Sequence, residues 1–169
     1  MSRFHDRTPT EPSWLENPIS LVEEYCIDQD WQVERPNDNE LWGEILGNWG
    51  GYRLWVIFHE DTEFLQFNAY LNLKIPTRFT NTVAQTITLI NERIWIGHFE
   101  IWGEESTPVF RLVMPMRGAE LSDEQVDDIF ASLYQECERF YPCFQWVIWG
   151  GKSPADAIAA AMVDTEGEA

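Results

Sequence analysis

Between Trp31 and Leu73 the chain reads as four runs of alternating apolar and polar residues joined by short turns. The runs are Trp31–Arg35, Glu40–Gly47, Tyr52–His59 and Phe64–Leu73. In the third, Tyr52, Leu54, Val56 and Phe58 alternate with Arg53, Trp55, Ile57 and His59. A period of two is that of a strand, whose successive side chains point to opposite faces. The connections Pro36-Asn37-Asp38-Asn39, Trp49-Gly50-Gly51 and Glu60-Asp61-Thr62 are turn chemistry. Parallel neighbours need a crossover of about a dozen residues, so these strands must pair antiparallel.

The period changes once and then changes back. Phe79, Val83, Ile87, Ile90 and Ile94 recur at steps of three and four, which predicts a helix from about Arg78 to Trp95. In the stretch Ile90–Trp102, INERIWIGHFEIW, the pattern returns to two, with Phe99 and Ile101 alternating against His98 and Glu100. Gly97 lies at the change, where a chain leaving a helix often needs positive φ. Strands are expected at Gly97–Trp102 and Pro108–Met116, with Glu104–Thr107 as their turn.

Helices close the chain at both ends. Asn17 and Pro18 suit the cap and first position of a helix reaching about Gln29, with Leu21, Val22 and Tyr25 on its apolar face. Ser122 with Gln125 forms a capping box for another, striped by Val126, Ile129, Phe130, Leu133, Tyr134, Cys137 and Phe140. Pro142 predicts a kink or restart, continuing to Trp149; a short strand through CFQWVIW is the other possibility. Gly150-Gly151 ends it, and Ser153-Pro154 starts a last helix to about Val163.

Residues 1–16 lack periodicity and are expected to form a flexible arm, with Trp14 and Leu15 candidates to pack down. Residues 17–163 form one domain and 164–169 an acidic tail. Strands grouped apart from helices imply α+β. The expected architecture is a two-layer sandwich, with an antiparallel sheet of five to six strands and helices on one face. Ile87, Ile90, Ile94, Val126, Phe130 and Leu133 should pack against that sheet.

The net charge of −18, from 29 acidic and 11 basic residues, opposes contact with a phosphate backbone or an anionic membrane. It permits a basic partner. No apolar run is long enough to span a bilayer, and the first residues lack the apolar core of a secretory signal. Three cysteines without metal spacing fit a reducing, cytoplasmic setting rather than a disulfide framework.

Catalytic signatures are absent from the sequence. Gly151-Lys152-Ser153 resembles the end of a phosphate-binding loop, but Trp146 stands where that loop needs glycine. His98 and Glu100 share a strand face and could serve as an acid–base or ligand pair, without a third group. No cofactor or metal is implied. Nine Trp exceed what a core of this size readily hides. Trp95, Trp102, Trp146 and Trp149 crowd two segments. They either fill the core or leave an apolar patch for a protein partner.

The segments NPISLVEEY, INERIWIGHFEIW and FYPCFQWVIWGGKSPADAIAAAM resemble the bacterial YbjN family. The likeness runs from Asn17 to the C-terminus. That family is described as sensory transduction regulators, with a fold like that of type III secretion chaperones. The resemblance implies a small α+β protein, often a homodimer, that works through protein contacts and has no catalytic residues to transfer. The expected function is a non-catalytic protein-binding module, chaperone-like or regulatory, with Trp95, Trp102, Trp146 and Trp149 as contact residues. The alternative is an enzyme using His98 and Glu100.

Overall fold

A computed structural model describes residues 17–166, with side chains through Val163. The arm expected over residues 1–16, with Trp14 and Leu15, lies outside the described residues, as do positions 167–169 of the expected tail. The elements follow in the order α1 (Pro18–Asp28), β1 (Val33–Asn37), β2 (Glu40–Leu46), β3 (Gly51–His59), β4 (Phe64–Leu71), α2 (Thr80–Asn91), β5 (His98–Trp102), β6 (Thr107–Pro115), α3 (Asp123–Ile148) and α4 (Pro154–Glu166). The six strands form one antiparallel sheet in the order β1-β2-β3-β4-β6-β5. The four-run meander is read as expected. After α2 the chain enters the far edge as β5 and folds back as β6 against β4.

One face of the sheet carries Leu41, Leu54, Val56, Leu65, Phe67, Phe110, Leu112 and Phe99 into the core. The helices cover that face. Ile19, Val22 and Cys26 of α1, Val83, Ile87 and Ile90 of α2, and Val126, Phe130, Leu133, Phe140 and Phe144 of α3 complete the core. Ile94 is only half-buried, because it lies beyond the end of α2. Tyr25 of α1 stacks on Phe130 at 4.9 Å and donates to Asp127 Oδ1 at 3.0 Å, which fixes α1 against α3.

Besides β4 ending at Leu71 and α4 reaching Glu166, three elements depart from the sequence reading for identifiable reasons. β1 begins at Val33, because Trp31 turns inward to meet Tyr25 and Phe130 edge-on instead of pairing in the sheet. α2 stops at Asn91 rather than Trp95. There the Asn91 side chain leaves the helix surface to hydrogen-bond β5, and Gly97, at φ +74°, turns the chain into the strand. A Cβ on Gly97 would lie 2.5 Å from the Phe110 ring, so the close approach also requires glycine.

The third departure is α3. It neither restarts after Pro142 nor forms a strand at 143–149, but is one helix of 26 residues with Pro142 inside it. Proline supplies no N–H to the carbonyl four residues earlier. That carbonyl belongs to Glu138, and the Trp49 indole N–H from the β2–β3 turn donates to it at 3.1 Å. The Glu138 carboxylate completes the latch by accepting from the Asn48 backbone and side chain and from the Tyr52 hydroxyl. The proline ring itself is buried in the core.

Candidate interaction surface

None of the eight described tryptophans is in the core; all are half-buried or exposed. The core aromatics are instead Phe67, Phe99, Phe110, Phe130, Phe140, Phe144, Tyr52 and Tyr141. The surplus of Trp therefore sits outside it. Much of it lies on the sheet face turned away from the helices.

Cross-strand register builds this face. Trp42 of β2 stands opposite Trp55 of β3, and the two rings stack at 5.1 Å with a 9° angle. Trp55 meets Trp102 of β5 edge-on at 6.5 Å, and Trp102 meets Tyr70 of β4 at 5.9 Å. The result is an aromatic band running from β2 to β5. Two arginines lie on it: Arg53 over Tyr70 at 5.1 Å, and Arg111 over Trp102 at 5.9 Å. Each is also paired with an acid, Arg53 with Glu105 and Arg111 with Glu100. Burial raises the Tyr70 phenol above its ordinary value of 10.0, against the opposing pull of Arg111 and Arg53. Asn68 is fully buried beneath the band, donating to Trp55 O and accepting from Gln66 and Arg111.

Both sheet edges are obstructed. On β1, Pro36 has no N–H to offer and the register shifts between Glu34 and Asn37. Arg35 crosses there to the Asp38 carbonyl and to Glu23 of α1. On β5, the Asn91 amide donates to Phe99 O at 3.0 Å and accepts from Phe99 N at 2.8 Å. One side chain thus occupies both backbone groups that a docking strand would use at Phe99.

The four tryptophans singled out from the sequence are not brought together. Trp102 belongs to the band. Trp95 follows α2 and is 100% exposed, with Ile96 beside it. Trp149 caps α3 and is 62% exposed. Trp146 is half-buried, with the Lys152 ammonium over its ring at 5.6 Å. No ring contact joins any two of these four among the described residues. Trp42, Trp55 and Tyr70 went unrecognised in the sequence. The available signal was their position in the polar phase of otherwise alternating strands.

The polar residues weighed for chemistry in the sequence, His98, Glu100 and Ser153, have structural partners. His98 Nε2 lies 3.5 Å from Glu100 Oε2, while Glu100 Oε1 is held by Arg111 at 2.7 Å, a cross-strand row. The Ser153 hydroxyl accepts from the Asp156 N–H, capping α4. A cleft of about 630 Å³ lies beside Arg53, Lys74 and Glu104, and one of about 540 Å³ between Pro18, Phe58 and Leu121; His98 lines neither. Cys26, Cys137 and Cys143 are buried free thiols. Desolvation pushes those of Cys26 and Cys143 up to about 12 and that of Cys137 well above 9.0. Among the described residues no cluster of His, Cys, Asp or Glu could hold a metal ion, and no helix is long and apolar enough to cross a membrane.

The sequence profile of the YbjN family, "Putative bacterial sensory transduction regulator", matches residues 18–146. No curated protein matches the chain. Among solved structures, the fold is similar to a chain in the crystal structure of the ExsC–ExsE complex, with a TM-score of 0.50 and 11% identity. The similarity covers 75% of this chain and 92% of that one. The α+β architecture expected from the sequence, an antiparallel sheet with helices on one face, is the one observed, and it is shared with that structure.

Proposed function

The chain belongs to the YbjN family, and from that premise we propose that it is a non-catalytic binding module for another protein, chaperone-like or regulatory, whose main contact surface is the open aromatic face of its sheet. The observation that carries this reading is the Trp42–Trp55–Trp102 band, exposed or half-buried with Tyr70 buried against Trp102, on the face opposite the helices. Large rings are the usual anchors of protein interfaces. The solved structure of similar fold is itself a two-protein complex, which supports the use of this architecture for holding a partner.

Of the four residues expected to bind, Trp102 contributes to this face. Trp95 and Trp149 form separate exposed apolar points suited to self-association, with Trp146 beside the latter. We place the homodimer there, not on the open sheet face. The net charge of −18 opposes pairing, so the contact must be local and apolar, and salt should strengthen it. Buried free thiols agree with a cytoplasmic setting.

The test is quantitative capture. A partner identified by affinity capture from the native cell is titrated against the wild type and against Trp102→Ala and Trp149→Ala. Losing an interface anchor of about 2 kcal/mol weakens binding roughly thirtyfold. We expect that loss for Trp102→Ala with the fold intact. Unchanged affinity in a folded Trp102→Ala protein refutes the sheet-face reading. Sedimentation at micromolar concentration tests pairing; a monomer in both low and high salt refutes it.

A further inference from the structure

The two halves of the open face are electrostatically unlike. Over β3, β4, β6 and β5, each arginine lies on a ring and meets a carboxylate: Arg53 of β3 with Tyr70 and Glu105, Arg111 of β6 with Trp102 and Glu100. On the open face of β1 and β2, a ring and carboxylates are present without an arginine of those strands, and Arg53 of β3, opposite Glu44, pairs with Glu105 instead. Trp42, 39% exposed, stacks on Trp55. Glu34 is registered beside Trp42, and Glu40 and Glu44 precede and follow it on the same face of β2. Glu40 accepts the Trp55 indole N–H at 3.3 Å. None of the three glutamates has an ion-pair partner among the described residues, since the facing Arg53 is already committed to Glu105.

We propose that this half-site binds an arginine-bearing basic segment of another protein, with a guanidinium laid over the Trp42 ring among the carboxylates of Glu34, Glu40 and Glu44. The inference rests on the open face being the contact surface and supplies the chemistry of its occupant. The same sheet already shows the arrangement twice with its own arginines. A cation over Trp gains the most among the aromatic residues, and the planar guanidinium both stacks and forks to a carboxylate. A second copy of the chain is disfavoured here, because it would set the same three glutamates and another charge of −18 against this surface. An arginine-rich segment meets opposite charge throughout its approach.

The probe is acetyl-Arg-Gly-Arg-Gly-Arg-amide, followed through the indole N–H resonances of the full chain, with the lysine peptide of equal charge alongside. Binding should shift the Trp42 and Trp55 signals, favour arginine over lysine, and weaken as salt rises. Trp42→Ala should reduce affinity roughly three- to thirtyfold, the range of a cation–π contact. Glu34→Gln/Glu40→Gln/Glu44→Gln should abolish the shifts. A control of equal charge change on the helical layer, Glu24→Gln/Asp28→Asn/Asp128→Asn, should leave them nearly intact.

Equal loss in the two triple variants, or insensitivity to Trp42→Ala in a folded protein, overturns the site in favour of diffuse charge attraction. If the natural partner binds this face but ignores the glutamate triple variant, the arginine inference falls and the sheet-face reading stands. If it ignores Trp102→Ala as well, both fall.

Discussion

The continuity of α3 through Pro142 rests on a donor borrowed from another element, and that dependence is measurable. In the wild type the Glu138 carbonyl receives the Trp49 indole N–H at 3.1 Å, because residue 142 has no N–H to give. Trp49→Phe removes the donor while keeping a ring to stack on Tyr141. A net hydrogen bond contributes about 0.5–1.5 kcal/mol, and a carbonyl left without a partner costs up to about 3 kcal/mol if water is excluded. The site is part-exposed, so about 1 kcal/mol is expected. With an m-value of about 2 kcal/mol/M, the urea midpoint should fall by about 0.5 M. Pro142→Ala restores a backbone donor for the same carbonyl. In that background Trp49→Phe should cost close to nothing, giving a coupling of about 1 kcal/mol in the double-mutant cycle. Pro142→Ala also leaves a cavity, but that cancels in the cycle. Urea unfolding of the four proteins, followed by far-UV circular dichroism, provides the measurement. Strict additivity would show that the indole bond does not substitute for the missing amide, and the account of α3 would be wrong.

Other expectations follow from single contacts. Asn91→Ala should abolish hydrogen-exchange protection of the Phe99 amide and cost about 1–2 kcal/mol for two lost bonds; full protection in the variant would show that the plug on β5 is not needed. Ile90, fully buried, should cost about 2–5 kcal/mol on change to Ala. A thiol reagent at pH 8 should leave Cys26, Cys137 and Cys143 unlabelled in the native protein and label all three in denaturant. The same thiols predict alkaline sensitivity. The folded state keeps protons that the unfolded chain releases near 9.0, so stability should fall as pH rises from about 9 to about 12, and a flat stability profile there would contradict their burial.

The fold was legible where a local pattern had one physical solution. Short turns between period-two runs leave only antiparallel pairing, and the Ser122–Gln125 capping box marks the start of α3 to the residue. The misreadings occur where a distant group decides. Nothing near Pro142 announces that Trp49 will supply its missing donor. Nothing near Asn91 says that its amide will be taken by Phe99, ending α2 a turn before the apolar stripe ends. The scatter of the four candidate tryptophans has the same origin. Trp95 and Trp102 are close in sequence, but they flank β5 at its two ends. Trp42 and Trp55 are separated by a hairpin, yet they touch. Alternation tells which residues of β3 share a face, but both faces carry large side chains, and only the position of the helices decides which face stays open.

The guarded edges bear on how a partner would be read. Adding a strand to a sheet supplies affinity through backbone bonds that are the same for any sequence, with side chains adding the selection. Here Pro36 and the irregular register on one edge, and Asn91 on the other, oppose that mode. A partner on the open face would meet side chains alone: rings, carboxylates and two arginines already paired. Affinity would then depend on the chemistry of a few partner residues instead of on an extended backbone, so exchanging single anchors in the partner should change binding more than altering its strand propensity. Isothermal titration with partner peptides carrying either a proline between anchors or an anchor changed to alanine separates the two modes. Proline should be tolerated and loss of the anchor should not; the reverse result would mean that a sheet edge opens to receive the partner after all.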